Sequence, residues 1–174
     1  MGRMIQGKSW LVITVLATPL LVTFFALGHG NEHGLTTAQI GQGTVSVEYH
    51  KPLAKGRDLL NMIQPGAYWR MGADSTTLLK TEIDLNFGGT TVAKGEYALS
   101  AHFTDAESWS LVLSKSPGRR GAKPADILAE VPGTIGKTKD PVEAMTIELS
   151  GQGSKGTLVL EWGNSRLSVE FSAA

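Results

Sequence analysis

The chain has 174 residues and no cysteine; 41% of its residues are hydrophobic and 18% charged, 21 are glycines against 7 prolines, and the formal net charge is zero. That length holds one domain with a proper core, with or without a targeting segment, and the lack of cysteine excludes disulfides, thiolate metal sites, a cysteine nucleophile and a lipid anchor on cysteine. The charge balance excludes an electrostatic footprint for nucleic acid, also when the leading segment with Arg3 and Lys8 is set aside, which leaves 14 basic against 16 acidic residues and a net of −2.

Such a glycine-rich, weakly charged composition suits short strands joined by turns better than long helices. Residues 1–28 have the layout of an export signal, with Arg3 and Lys8 in front, an uncharged run over 10–28, and Ala26 and Gly28 spaced as a signal peptidase reads them. Cleavage after Gly28 is the expected outcome. The run is 19 residues, close to the length of a bilayer span, so an uncleaved hydrophobic helix anchoring the chain to the membrane is the alternative. In both cases the two leading cations keep the N-terminus cytoplasmic, and the rest is expected on the far side, periplasmic or secreted.

Residues 29–43 carry Gly and His without a clear period and read as a linker. The domain is expected over 44–174. Alternation of Val45, Val47 and Tyr49 against Ser46, Glu48 and His50 predicts a half-buried strand that Pro52 ends. A short helical turn over 58–63, capped by Asp58, is followed by a turn at Gln64-Pro65-Gly66. One long extended segment is expected over 76–87, then a reversal at Gly88-Gly89. Tyr97, Leu99, Ala101 and Phe103 share one face with Trp109, Leu111 and Leu113, which predicts a hairpin turning through 104–107. A polar loop over 114–124 and a short strand over 127–131 follow. Three strands close the chain over 144–149, 156–162 and 166–171, with Gly163-Asn164 as the turn between the last two. The total is about eight to nine mostly antiparallel strands, an all-β domain built as a single β-sandwich or flattened barrel behind an N-terminal hydrophobic helix.

Turn residues, aromatics and charges are densest over 56–77. Arg57 and Arg70 can hold a carboxylate or phosphate by paired hydrogen bonds, Asp74 can orient one guanidinium, and Tyr68 and Trp69 can offer an apolar wall to a ring or sugar face. The competing reading is an Arg–Asp pair that pins the loop, with Trp69 in the core. His29 and His33 flank a carboxylate, and cleavage after Gly28 would give His29 a free amine able to chelate copper, but a His-bearing linker explains both without a metal. His50 and His102 lie on the polar faces of their strands and read as solvated. Arg119, Arg120 and Lys123 read as a loop, and Asp105 and Glu107 as a solvent-facing turn. No nucleophile elbow, phosphate loop, dinucleotide fingerprint or zinc-protease motif is present.

At Gly56-Arg57, Tyr68-Trp69-Arg70-Met71-Gly72-Ala73-Asp74, Gly95-Glu96-Tyr97-Ala98-Leu99, Trp109 and Leu160-Glu161-Trp162 the chain resembles a bacterial family of exported proteins, the domain of unknown function 2911. The resemblance covers about residues 44–171. Asp74-Ser75 stands where members often carry Asn-Glu, and Pro65-Gly66 where an aromatic often precedes the glycine. The resemblance implies an exported β-rich domain and brings no activity. The expectation is therefore a non-catalytic, envelope-associated binding module without cofactor, its partner a small molecule or an envelope component. The alternative is an extracytoplasmic hydrolase or a copper- or zinc-dependent enzyme using the 56–77 loop with His50 or His102.

Overall fold

The computed structural model describes residues 31–105, 107–116 and 123–174. The export signal or anchor expected over 1–28, His29 and the Arg119-Arg120 pair lie outside these residues. No helix among the described residues is long and apolar enough to cross a membrane.

Two antiparallel sheets pack face to face. Strands β1 (Glu32–Ile40), β2 (Gly43–Lys51), β4 (Leu78–Thr81), β7 (Gly95–Phe103), β8 (Trp109–Ser116) and β9 (Ala125–Pro132) lie side by side in that order, and β3 (Ala67–Trp69) pairs with β7 to complete a seven-stranded sheet. The second sheet has four strands in the order β10 (Thr134–Gln152), β11 (Lys155–Ala173), β5 (Leu85–Phe87), β6 (Thr90–Val92). The one helix among the described residues, α1 (Leu59–Met62), is a single turn capped by Asp58, whose carboxylate accepts from the Leu60 amide as the sequence leads one to expect.

The inward faces follow the predicted alternation. Val45, Val47, Leu79, Leu99, Leu111, Leu113 and Trp109 from the large sheet meet Met145, Ile147, Leu158, Leu160, Trp162, Leu167 and Phe171 from the small one, all at most 5% exposed. Apolar surface removed from water on this scale drives the two sheets together.

Four expectations are corrected. Residues 32–40, read as linker, form β1, paired with β2 along its whole length. The strand is hard to see in the sequence because it is an edge strand with few apolar residues, and Leu35 stays 65% exposed. The extended segment over 76–87 is two strands in different sheets: Thr81 Oγ1 donates to the Ile83 carbonyl and accepts from the Ile83 amide, and this turn carries the chain from β4 to β5. Gly163-Asn164 is no hairpin turn, since β11 runs through it and β10 is likewise continuous back to Thr134. Gly163, at φ 58, instead turns the strand over: Leu158, Leu160 and Trp162 are buried before it, and Ser165, Leu167, Val169 and Phe171 after it. The reversal between β10 and β11 lies at Gly153, at φ 60. With these changes, and with β3 and β6, which the sequence reading did not contain, the described residues hold eleven strands against the eight to nine expected.

One side of the sandwich is closed where β1 runs along β10. The Leu149 amide donates to Thr36 Oγ1 at 3.1 Å and the Gly41 amide to the Gly153 carbonyl at 2.7 Å. Nearby, the buried Tyr49 hydroxyl accepts from the Ile147 amide at 2.9 Å and faces the Ile147 carbonyl at 3.3 Å. Tyr49→Phe keeps the ring and orphans that amide, so a loss of about 1–3 kcal/mol in unfolding free energy is expected in urea melts. A loss below a few tenths would show that the amide finds another partner.

Candidate functional site

After Lys51 the chain leaves the large sheet and crosses to the small one. The Ala54 amide donates to the Glu143 carbonyl and the Met145 amide to the Pro52 carbonyl, so 52–55 lies along the edge of β10, and Arg57 and Asp58 then lie against β11 at Gly163 and Ser165. Lys55 and Gly56 both take left-handed backbone, at φ 49 and φ 74. That turn sends Arg57 back on its own segment. Its Nε donates to the Ala54 carbonyl at 2.9 Å and its Nη2 to the Leu53 carbonyl at 2.6 Å, while the guanidinium lies 5.2 Å from the centre of the Trp162 ring. Trp69 stacks on the same indole, centroids 6.0 Å apart and planes 12° from parallel. The Gly56-Arg57, Trp69-Arg70 and Leu160-Glu161-Trp162 pieces on which the resemblance rests thus meet in one stack.

Strands β3 and β4 run end to end along β7, and residues 70–77 between them form an excursion over the ends of β1 and β2. Its shape is held from several sides. The Thr77 hydroxyl donates to the Met71 carbonyl at 2.8 Å, the Ala73 amide to the His50 carbonyl at 3.2 Å, and Arg70 Nη1 to the Asp74 carbonyl at 3.1 Å. Glycine is needed at 72, where an added Cβ would sit 2.8 Å from Thr77 Oγ1 and 3.3 Å from the His50 carbonyl oxygen. Met71 and Asp74 are non-glycine residues in left-handed backbone, at φ 54 and φ 55.

The Asp74 carboxylate does not orient a guanidinium through its own oxygens. It accepts from the Asn31 amide at 3.0 Å and from Asn31 Nδ2 at 3.1 and 3.2 Å, and these donors hold its carboxyl below the usual carboxylate range. The neighbouring Ser75 places its hydroxyl 2.7 Å from His50 Nδ1.

The outward face of the large sheet carries the remaining candidates. Tyr68 and His102 are cross-strand partners on β3 and β7, their rings stacked at 4.1 Å and 2° from parallel. His102 Nδ1 lies 2.6 Å from Glu130 Oε1 on β9. Burial, and then the Glu130 charge, push the Tyr68 hydroxyl above the ordinary phenol value. On β1 and β2, His33 and His50 are also cross-strand partners, with ring centres 5.5 Å apart, and His33 Nε2 lies 2.8 Å from Glu48 Oε1. His50 and His102 do not pair with each other. Sequence reasoning missed Glu48, Glu130 and Asn31 as partners, although Glu48 could have been found from its shared parity with His50. No three His, Cys, Asp or Glu side chains gather as a ready metal ligand set among the described residues.

The five residues singled out over 56–77 therefore sit in three settings: Arg57 and Trp69 around Trp162, Arg70 and Asp74 within the excursion, and Tyr68 on the open face. No curated protein and no solved structure matches the chain. The family model described as "Protein of unknown function (DUF2911)" matches residues 32–171, from the first residue of β1 into the last strand, and the chain belongs to that family.

Proposed function

We propose that the chain is an exported, non-catalytic binding module that holds a polar envelope component, with saccharides the class its aromatic wall suits, beside the 70–77 excursion. The observation that carries this reading is the pair of left-handed non-glycine residues, Met71 and Asp74, next to the outward Tyr68–His102 stack. Each such residue costs about 1–3 kcal/mol, and backbone strain of this kind is kept where a loop must present a fixed surface. Export rests on the composition of residues 1–28, with anchoring through 10–28 as its variant.

A hydrolase is favoured by one observation, the Ser75 hydroxyl 2.7 Å from His50 Nδ1. Against it, the carboxylates of Asp74 and Glu48 are hydrogen-bonded to Asn31 and His33, and among the described residues none is hydrogen-bonded to His50 to orient it.

The test is co-sedimentation of the full-length protein with peptidoglycan sacculi, alongside turnover of p-nitrophenyl acetate. Wild type is expected in the pellet, and Tyr68→Ala and His102→Ala are expected to weaken association about tenfold, the effect of losing one well-packed contact, at unchanged melting temperature. Equal sedimentation of both variants and wild type would reject the surface. Ester turnover abolished by Ser75→Ala would put the hydrolase in its place. The intact mass of the same preparation reads processing: a chain starting at His29 indicates cleavage, and a Met1 form in membranes indicates the anchor.

A further inference from the structure

His33 and His50 stand directly opposite each other on the antiparallel pair β1–β2, on the outer side of the large sheet. Antiparallel partners bring their side chains within reach of one another, and two imidazoles so placed have a common point between them. A divalent ion about 2.1 Å from one nitrogen of each ring lies roughly 3.2 Å from each ring centre, so tetrahedral coordination puts the two centres about 5.2 Å apart. The observed separation is 5.5 Å.

Each ring is also held by an oxygen on one nitrogen only. His33 Nε2 faces the Glu48 carboxylate at 2.8 Å, and His50 Nδ1 faces the Ser75 hydroxyl at 2.7 Å. When those nitrogens carry the protons and donate to Glu48 and Ser75, the lone pairs fall on Nδ1 of His33 and Nε2 of His50. Neither of these has a hydrogen-bond partner among the described residues. This is the pattern of metal-binding histidines, in which an outer carboxylate or hydroxyl fixes the tautomer and raises the basicity of the ligating nitrogen. The site is open to solvent, the His33 side chain being 50% exposed, so water can complete the coordination.

We propose that His33 and His50 form a two-imidazole site for a divalent transition ion, Cu²⁺ or Zn²⁺, with Glu48 and Ser75 as the outer partners that orient the rings. Imidazole nitrogens suit both ions, and Cu²⁺ is the tighter of the two by the general order of divalent affinities. The site differs from a copper site at a free amine of His29, because its ligands come from two paired strands and need no processing of the chain. It is independent of the saccharide reading, whose residues Tyr68 and His102 have no part in it.

Equilibrium dialysis of the full-length protein against Cu²⁺, and separately against Zn²⁺, at pH 7.5 tests this directly. One equivalent is expected to bind to wild type, His29→Ala and His102→Ala. Binding is expected to vanish in His33→Ala and in His50→Ala, and Glu48→Gln is expected to weaken it about 10- to 100-fold. Melting curves of each variant without metal confirm that it folds, and His50→Gln replaces His50→Ala if the latter does not. No binding by wild type, loss on His29→Ala, or retention in either His33→Ala or the His50 variant would overturn the proposal.

Discussion

Replacing Trp162 by alanine is expected to lower unfolding free energy by about 3–5 kcal/mol, the range for large aromatic truncations in a core. Total stabilities of domains this size run to about 5–15 kcal/mol, so the variant should sit near the edge of folding. The reason is position as much as size. Trp162 is 2% exposed, stacks on Trp69 and lies under the Arg57 guanidinium, so its removal undoes a contact to β3 and one to the segment before α1 as well as filling of the core. The indole has one flaw: its Nε1 is buried and has no hydrogen-bond partner among the described residues. An orphaned N–H of this kind costs about 1–3 kcal/mol, and phenylalanine removes it while leaving a ring for Trp69 and Arg57 to cover. Trp162→Phe is therefore expected to lose much less than Trp162→Ala, since relief of the orphan offsets part of the lost volume. Urea titrations of the three proteins decide it. Equal losses in both variants would show that the N–H is hydrated in solution and that the indole's full width is what the site needs.

The sheets were readable wherever one face is buried and the other is wet. On β2 and β11 the alternation in the sequence matches the burial, because a strand with one dry face has no freedom to slip by one position. On β7 and β8 the residues of the predicted inward face are buried as well, but Ala98, Ser100, Val112 and Ser114 on the other face are buried with them, which the alternation does not reveal. Where that constraint is missing the reading failed. β1 is an edge strand whose buried residues are few, and His33, Leu35 and Thr37 give it no apolar face to read. At Gly163 the sequence signal was real and its meaning was wrong: the residue does need left-handed backbone, but it uses it to turn β11 over rather than to reverse the chain. The parity change from Trp162 to Leu167 is compatible with either, and only the partner strand distinguishes them.

The dense stretch over 56–77 was visible as a concentration of turn residues, aromatics and charges, and the helical turn with its Asp58 cap was read correctly. What each charge does was not visible, because the partners are remote in sequence. Asp74 is held by Asn31, His102 by Glu130, and Arg57 lies on Trp162, separations that no local spacing rule spans. Arg57 and Arg70 spend hydrogen bonds on backbone carbonyls, which a motif written as Arg and Asp does not reveal.

Gly163 yields the second large effect, and it is best measured against Gly153. Both residues have left-handed backbone, at φ 58 and φ 60, so an alanine at either one meets the same local penalty of about 1 kcal/mol. Their surroundings differ. A Cβ at 153 meets nothing within 4 Å, whereas one at 163 would stand 2.8 Å from the Arg57 carbonyl oxygen and 3.5 Å from the Asp58 Cα. The opposing atoms at 163 are backbone, and that backbone is tied down. Arg57 and Asp58 are fixed by the Arg57 amide bond to the Ala54 carbonyl, by the Ser165 hydroxyl on Asp58, and by the guanidinium over Trp162. Relief of the clash has to lift this segment from β11. Gly163→Ala is therefore expected to cost about 2–4 kcal/mol in total, the sum of a strained backbone and an overpacked contact, against about 1 kcal/mol for Gly153→Ala. The difference between the two isolates the packing of Arg57 and Asp58 on β11. Equal losses in urea would mean that the segment yields freely, and that Gly163 is needed only for its backbone conformation.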